Sequence, residues 1–309
     1  MPLRLEQLRY FVAVAEEEQL TRAAHRLHLA QPALSKAISQ LENELGVELF
    51  ARQARGVALT PAGSAFLTKA RIALAATADA VWTAERLARA ARGTMRVGFI
   101  GPPPMLNAPE LFAVFADAHP EAEISFHGLP FPVTPTHAWL EDVDVAFCHL
   151  PEVGAEVSAQ ALRSEPRVLV APSDHPLADR SEVAVADVLD ETYISYHRTV
   201  QPDWAGFHSL DDHRGEPAPS QTSDHVRTPL EILAVMASRK AVTALPACDA
   251  AIIERALPGI VAIRLRDADE AVLSLVWRRE NTSPLLDALV SLADSLYEAS
   301  RDVRRELHT

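Results

Sequence analysis

The sequence predicts an α/β protein in three parts: a winged helix-turn-helix over residues 1–60, one long helix over 61–92, and a two-subdomain α/β body over 93–309. Three observations predict it. Two short amphipathic helices meet at a tight turn in LTRAAHRLHLAQPALSKAISQL (20–41), and an Ala-rich stretch holds helical period from Thr60 to about Ala91. From Met95 onward, short apolar runs of strand length alternate with helical segments.

The first helix is marked by Leu5, Leu8, Phe11, Val12 and Ala15, an apolar stripe that ends in Glu16-Glu17-Glu18, expected to be exposed. Thr21 is placed to cap a second helix with Ala24 and Leu27 facing inward, and His28-Leu29-Ala30 breaks the pattern. Pro32 suits the first turn of a third helix, because its missing N–H is one that a helix leaves unpaired. Leu34, Ala37, Ile38 and Leu41 then repeat on one side, while Pro32, Ser35, Lys36, Ser39 and Asn43 fall on the other. A helix entering the major groove of DNA must be slim, carry hydrogen-bonding groups near its N-terminal end and lean on a companion helix. This stretch meets those needs, although an ordinary helical hairpin has the same pattern. Gly46 stops the third helix, and 47–50 and 57–60 read as two short strands around Arg55-Gly56, a wing. Arg52 and Arg55 are placed to reach phosphates or the minor groove, an internal salt bridge being the alternative for Arg52.

The segments LRYFVAVAEE, LTRAAHRLHLAQPALSKAISQLENELGVELF and LTPAG together resemble the winged helix-turn-helix of LysR-type transcriptional regulators, especially members that respond to aromatic-catabolism intermediates. The likeness runs nearly without a gap from residue 3 to 66. It implies DNA reading by Gln31, Pro32, Ser35, Lys36 and Ser39, with Thr21 and Arg22 near the backbone, which agrees with the outward face above. One departure is Ala30, where a Ser or Thr would cap the third helix, and losing such a cap costs about 1 kcal/mol.

Thr60-Pro61 is a capped start for the long helix and Gly93 its end. Some 30 residues make roughly 45 Å of helix. Phe66, Leu67, Ala70, Ala73, Leu74, Ala80, Val81 and Leu87 give it an apolar side too long for its own domain to cover, so a second copy of the chain is expected to cover it. The resemblance implies the same. It adds an antiparallel dimer and a tetramer on double-stranded DNA with an interrupted inverted repeat near a promoter, and RNA polymerase as a further partner.

In the body, strands are expected at 95–100, 123–127, 143–149, 167–171, 193–196, 242–245 and 273–277, and helices at 110–119, 231–237 and 283–301, in a parallel arrangement. The chain is expected to cross between subdomains near 162–165 and return near 264–270. Subdomain I is then about 93–162 with 269–309, and subdomain II about 163–268. This resembles the family's effector domain, itself similar to periplasmic solute-binding proteins, and implies a small-molecule effector in the cleft between halves. Strand and helix ends point to Gly101, Pro102, Pro103, Phe131, Cys148, His149, Ser195, Tyr196, His197, Arg198, Ser223 and Asp224 as its lining. Three consecutive prolines after Gly101 supply no N–H donors, and LPFPVTP is also apolar, so a more apolar pocket than the family norm is expected.

Charge divides along the chain. Net charge is -13, yet residues 1–60 balance seven Lys/Arg with seven Glu and 61–94 add five cations to two acids, which leaves -16 on 95–309. DNA contact must therefore come from the N-terminal third. The composition, 48% hydrophobic and 23% charged, is globular, and no apolar run approaches the roughly 18 residues of a membrane span. The acidic, amphipathic N-terminus lacks a signal-peptide pattern, so a cytoplasmic location without membrane partners is expected. Cys148 and Cys248 are too few for a disulfide framework. His197, His208, His213 and His225 crowd one region without helical i,i+4 spacing or a neighbouring cysteine, and read as scattered polar surface with no metal bound. Cys148-His149, a cysteine ending an apolar strand, reads as a small buried residue. No cofactor and no catalytic set are expected. The competing class is a small-molecule-binding α/β protein or enzyme with a helical appendage, which requires an acid–base pair in the cleft.

Overall fold

The computed structural model describes residues 3–53, 56–101, 108–133, 138–149, 154–238 and 241–306, with 138 and 298–306 described by backbone alone. Two compact units result, Met1–Ala84 and Glu85–Thr309.

The first unit begins with α1 (Leu5–Glu17), α2 (Leu20–Arg26) and α3 (Gln31–Leu45), then the antiparallel hairpin β1 (Phe50–Gln53) and β2 (Gly56–Leu59), and enters α4 (Pro61–Ala91). Leu8, Phe11, Val14, Ala24, Leu34, Ile38, Leu41 and Leu49 form its core. The Phe11 ring meets Phe50 at 5.1 Å and Phe66 at 5.0 Å, so one side chain joins α1 to the wing and to α4. Several local expectations shift. Leu5 is exposed, because the helix turns Gln7 inward, where its amide donates to Glu44 at 2.8 Å. Thr21 lies inside α2, whose N-cap is Gln19. Glu16 and Glu17 are not an open acidic run: Arg26 and Arg71 bind Glu16 at 2.8 and 3.0 Å, and Arg22 pairs with Glu17 at 3.6 Å. The wing begins at Phe50, later than expected, because the Glu42 carboxylate takes the N–H groups of Leu49 and Phe50 at 2.8 and 3.0 Å.

Thr60 caps α4 as its sequence implies, its hydroxyl accepting from Gly63 N–H at 2.9 Å. Ala70 is buried and Phe66, Leu67, Ala73 and Leu74 pack on the first core, whereas Ile72, Val81 and Leu87 are each more than half exposed.

The second unit runs β3 (Thr94–Phe99), α5 (Pro109–Ala118), β4 (Glu123–Gly128), β5 (Val145–His149), β6 (Val157–Glu165), β7 (Arg167–Pro172), β8 (Glu182–Val183), β9 (Thr192–Tyr196), α6 (Pro202–Ser209) and α7 (Asp211–Arg214). It continues with β10 (Ser220–Val226), α8 (Pro229–Ala237), β11 (Thr243–Pro246), α9 (Ala247–Ala256), β12 (Ile260–Leu265), β13 (Ala271–Arg278) and α10 (Pro284–Glu306). The first lobe is a five-stranded sheet of order β4-β3-β5-β13-β6, its core built on Val97, Phe115, Phe147, Leu275 and Leu289. The second lobe carries the sheet β11-β7-β12-β8, with the parallel pair β9-β10 tied to it by a Tyr193–Val242 bridge.

The sheets are mixed rather than parallel. β13 returns from the second lobe and runs antiparallel to β5 and β6, and β7 runs antiparallel to β11 and β12. One residue, Pro166, separates β6 in the first lobe from β7 in the second, and the return lies between Leu265 and Ala271. β6, β8, β10 and β12 and helices α6, α7 and α9 occupy segments for which no element was expected. VSAQALRSE and SQTSDHV bury few residues, which left no apolar period to read.

Arg89 sits 5% exposed with a bidentate grip on Asp144, Nη2 to Oδ1 at 2.8 Å and Nε to Oδ2 at 3.2 Å. Asp144 also accepts from Arg96 N–H at 2.8 Å, and Arg86 reaches Asn281 at 3.3 Å. Two of the cations counted toward the DNA-facing third therefore serve inside the second unit. Among the described residues no helix is long and apolar enough to cross a membrane.

Candidate nucleic-acid interface and effector cleft

On α3 the pattern of burial alternates as a reading helix requires. Leu34, Ile38 and Leu41 are sealed into the core, Gln31, Pro32, Lys36 and Ser39 are exposed, and Ser35 is half-buried between the two faces. Ala30 occupies the N-cap with no side-chain hydrogen bond, so the N-terminal N–H groups of α3 have no side-chain acceptor there. Thr21 and Arg22 stand exposed on the first turn of α2, with Arg22 also donating to the Glu17 carbonyl. Arg52 is exposed on β1 and makes no ion pair among the described residues. Arg55 lies outside the described residues. The wing is held down at Gly56, which passes so close to the Glu18 carbonyl that a Cβ on it would collide, and Val57 N–H donates to that carbonyl at 2.9 Å.

In the second unit, the cleft-lining candidates separate into groups. Pro102 and Pro103 lie outside the described residues. Phe131 is 1% exposed and belongs to the core of the second lobe, although its chain segment follows β4 of the first. Its ring meets Trp204 at 4.4 Å and Tyr196 at 5.6 Å, and Trp204 stacks on His208 at 4.0 Å. Backbone bonds lock the segment there, Phe131 N–H to Arg227 at 3.1 Å and Gln201 N–H to Pro132 at 2.8 Å. On this side the cleft is filled by the protein's own aromatic rings. His208, expected at the surface, is buried, and burial pushes its pKa down to about 3 while Nδ1 bonds the Trp204 carbonyl.

The remaining histidines have separate partners: His197 faces Thr199 and Arg227, and His225 faces Ser195 at 2.8 Å. His213 lies near the Asp269 backbone. Arg198, Ser223 and Asp224 are exposed, the last two at an irregularity in the β10 ladder. Cys148 is packed with Leu129, Trp139, Val143 and Val276, where burial pushes its thiol up; it is a core residue.

His149 ends β5 and is buried. Its Nε2 lies 3.0 Å from Glu165 Oε1 and its Nδ1 3.8 Å from Asp249 Oδ2. Gly101 abuts the same carboxylate, since a Cβ there would stand 3.3 Å from Asp249 Oδ2. Cys248 completes the cluster, donating its N–H to Glu165 Oε2 at 2.7 Å and its thiol to Oε1 at 3.1 Å. Burial would raise the Glu165 carboxyl, but the bonds from His149 and from the Cys248 thiol and backbone override it and hold it at about 2. Burial and two carboxylates push the Cys248 thiol up. Sequence reasoning missed Glu165, Cys248 and Asp249. The only signals were an acid just before Pro166 and a Pro-Ala-Cys-Asp run starting a helix.

A small winged helix-turn-helix and a two-lobed α/β domain with polar groups converging between its lobes define a class, the two-part helix-turn-helix regulators. Residues 5–64 match the bacterial regulatory helix-turn-helix protein profile of the lysR family, and residues 88–296 match the LysR substrate binding domain. The chain belongs to the LysR family.

Two curated relatives and one solved structure place it there. The HTH-type transcriptional regulator AlsR of Bacillus subtilis is 32% identical over 200 residues, 65% of this chain and 66% of that protein. That match spans just under two thirds of AlsR's own length. TdfR of Cupriavidus pinatubonensis is 31% identical over 296 residues, 94% of this chain and 98% of TdfR. Full-length CbnR complexed with its target DNA shares 26% identity at a TM-score of 0.50, covering 95% of this chain and 99% of CbnR.

Proposed function

We propose that the chain is a sequence-specific DNA-binding transcription regulator whose activity is set by a small effector bound between the two lobes, with no catalytic role. The observation that carries the reading is α3 itself: a polar outward row of Gln31, Pro32, Ser35, Lys36 and Ser39 standing on a sealed row of Leu34, Ile38 and Leu41. Pro32, Ser35 and Ser39 select bases, while Lys36, Arg22 and the wing arginines Arg52 and Arg55 hold phosphates. CbnR, similar over its whole length, has been crystallised with its target DNA, and AlsR and TdfR are described as HTH-type transcriptional regulators. Both support the reading.

The same reading assigns a dimer through the exposed Ile72, Val81 and Leu87 of α4, assembling into a tetramer on an interrupted inverted repeat, with RNA polymerase as a downstream partner in the cytoplasm. Effector binding then shifts the lobes and with them the spacing of the DNA-reading units. Gel-shift with the DNA upstream of its own gene tests the core of it. Ser35→Ala and Lys36→Ala, folded as judged by thermal unfolding, are expected to lose affinity; retardation equal to wild type in both overturns the reading.

A further inference from the structure

Three side chains far apart in sequence meet at the crossing between the lobes. His149 ends β5, Glu165 ends β6 and Cys248 lies in the first turn of α9, and their Nε2, Oε1 and Sγ atoms all fall within 4.8 Å of one another. Nε2 and Sγ stand 3.0 and 3.1 Å from the same Glu165 oxygen. His149 and Glu165 are each 8% exposed and Cys248 is half-buried. A tetrahedral ion with metal–nitrogen and metal–sulfur bonds of about 2.0 and 2.3 Å sets donor–donor edges of about 3.3–3.6 Å. Opening the two edges at Glu165 Oε1 by a few tenths of an ångström, and bringing Nε2 and Sγ, which lie within 4.8 Å of each other, to such an edge, lets the donors accept one.

We propose that His149 Nε2, Glu165 Oε1 and Cys248 Sγ form a binding site for a thiophilic divalent cation of the zinc type, with the fourth position open to water or a small anion. The groups behind these donors fit the role. Glu165 Oε2 is already held by the Cys248 N–H at 2.7 Å, which leaves Oε1 to the ion. Asp249 lies 3.8 Å from His149 Nδ1, on the side where a carboxylate would take the ring hydrogen once it moves from Nε2 to Nδ1 on ligation. Arg163 stands 3.6 Å from Glu165 Oε1.

Charge balances in the loaded site. The thiol proton leaves to solvent, the +2 ion meets one thiolate and one carboxylate, and Asp249 is offset by Arg163. Without the ion the same groups are closed on themselves, since the thiol and imidazole both bond Glu165. The cation thus replaces hydrogens in a preformed set. His149 and Glu165 belong to the first lobe and Cys248 to the second, so coordination pins the two lobes to each other. That regulatory consequence rests on the reading of the cleft as the effector site, whereas the coordination stands on the donor geometry.

The test uses the full chain, reduced and stripped of metal, titrated with Co2+ as the spectroscopic probe and then with Zn2+. One equivalent of Co2+ is expected, with a thiolate-to-cobalt charge-transfer band that Zn2+ bleaches, that Cys248→Ser abolishes and that needs at least tenfold more cobalt in His149→Gln. No band in the wild type, or a band that survives in Cys248→Ser, overturns the site. Should the serine variant fail to fold, zinc-edge X-ray absorption of the wild type decides: one sulfur among lighter donors supports the site, and a shell without sulfur overturns it. Gel-shift with and without Zn2+ separates the two readings. DNA binding that Zn2+ does not alter overturns the lobe-pinning role, and a chain that binds Zn2+ but no DNA overturns the regulator reading and leaves the metal site standing.

Discussion

Lys36 is the one cation on the outward row of α3 and is exposed. A phosphate contact of that kind acts on all sequences alike, so Lys36→Ala is expected to lower the slope of log affinity against log salt by about one while leaving base preference unchanged. Ser35→Ala, by contrast, relaxes preference at one base pair. Measuring affinity across salt for two operator variants separates the two roles.

His208 offers a second residue-scale outcome. Its folded pKa of about 3 lies below the ordinary 6.5, so the unfolded chain binds more protons between those values and stability falls as pH drops through that window. His208→Gln is expected to flatten the pH dependence of the melting temperature between pH 6.5 and 4.5. Below 4.5 the depressed Glu165 carboxyl still costs stability. The α3 residues were legible in sequence because helical period alone sorts them into two faces. Glu165 and Cys248 were not, since 83 residues separate them; the pairing of β5, β13 and β6 brings His149 to Glu165, and that of β7 with β11 brings Cys248 there.

At the scale of elements, α4 matches its expected span because Thr60, Pro61 and Gly93 are all local signals. What no local signal revealed is how tightly its first turns dock: a Cβ on Gly63 would run into the Leu49 carbonyl. Gly63→Ala is therefore expected to cost about 1–3 kcal/mol by chemical denaturation, through forced displacement of the wing from the helix. At the other end of α4, Asp144→Ala leaves the buried Arg89 guanidinium with only the exposed Glu85 at 3.6 Å, with an expected loss of about 3 kcal/mol in the same measurement. The parallel arrangement failed as an expectation for a related reason. Strand direction depends on which lobe a strand returns from, and β13 and β7 carry apolar runs that look the same in either direction.

For the whole molecule, the proposed assembly rests on apolar side chains of α4 that are exposed in the single chain. Ile72→Glu with Val81→Glu is expected to move the protein from dimer or tetramer to monomer in sedimentation velocity, with helix content kept, and unchanged mass in the double variant removes α4 as the interface. The fold class was legible because it follows from the order of strands and helices. The aromatic filling by Phe131 was not, because a loop of one lobe supplies a core residue of the other. The central position of β13 between β5 and β6 also sets a schedule for synthesis. The second lobe, uninterrupted from Arg167 to Leu265, can close on the ribosome as soon as it emerges. β5 and β6 must wait with open edges until Ala271–Arg278 is made, so a ribosome stalled near residue 270 presents chaperones with one finished lobe and one unzipped sheet.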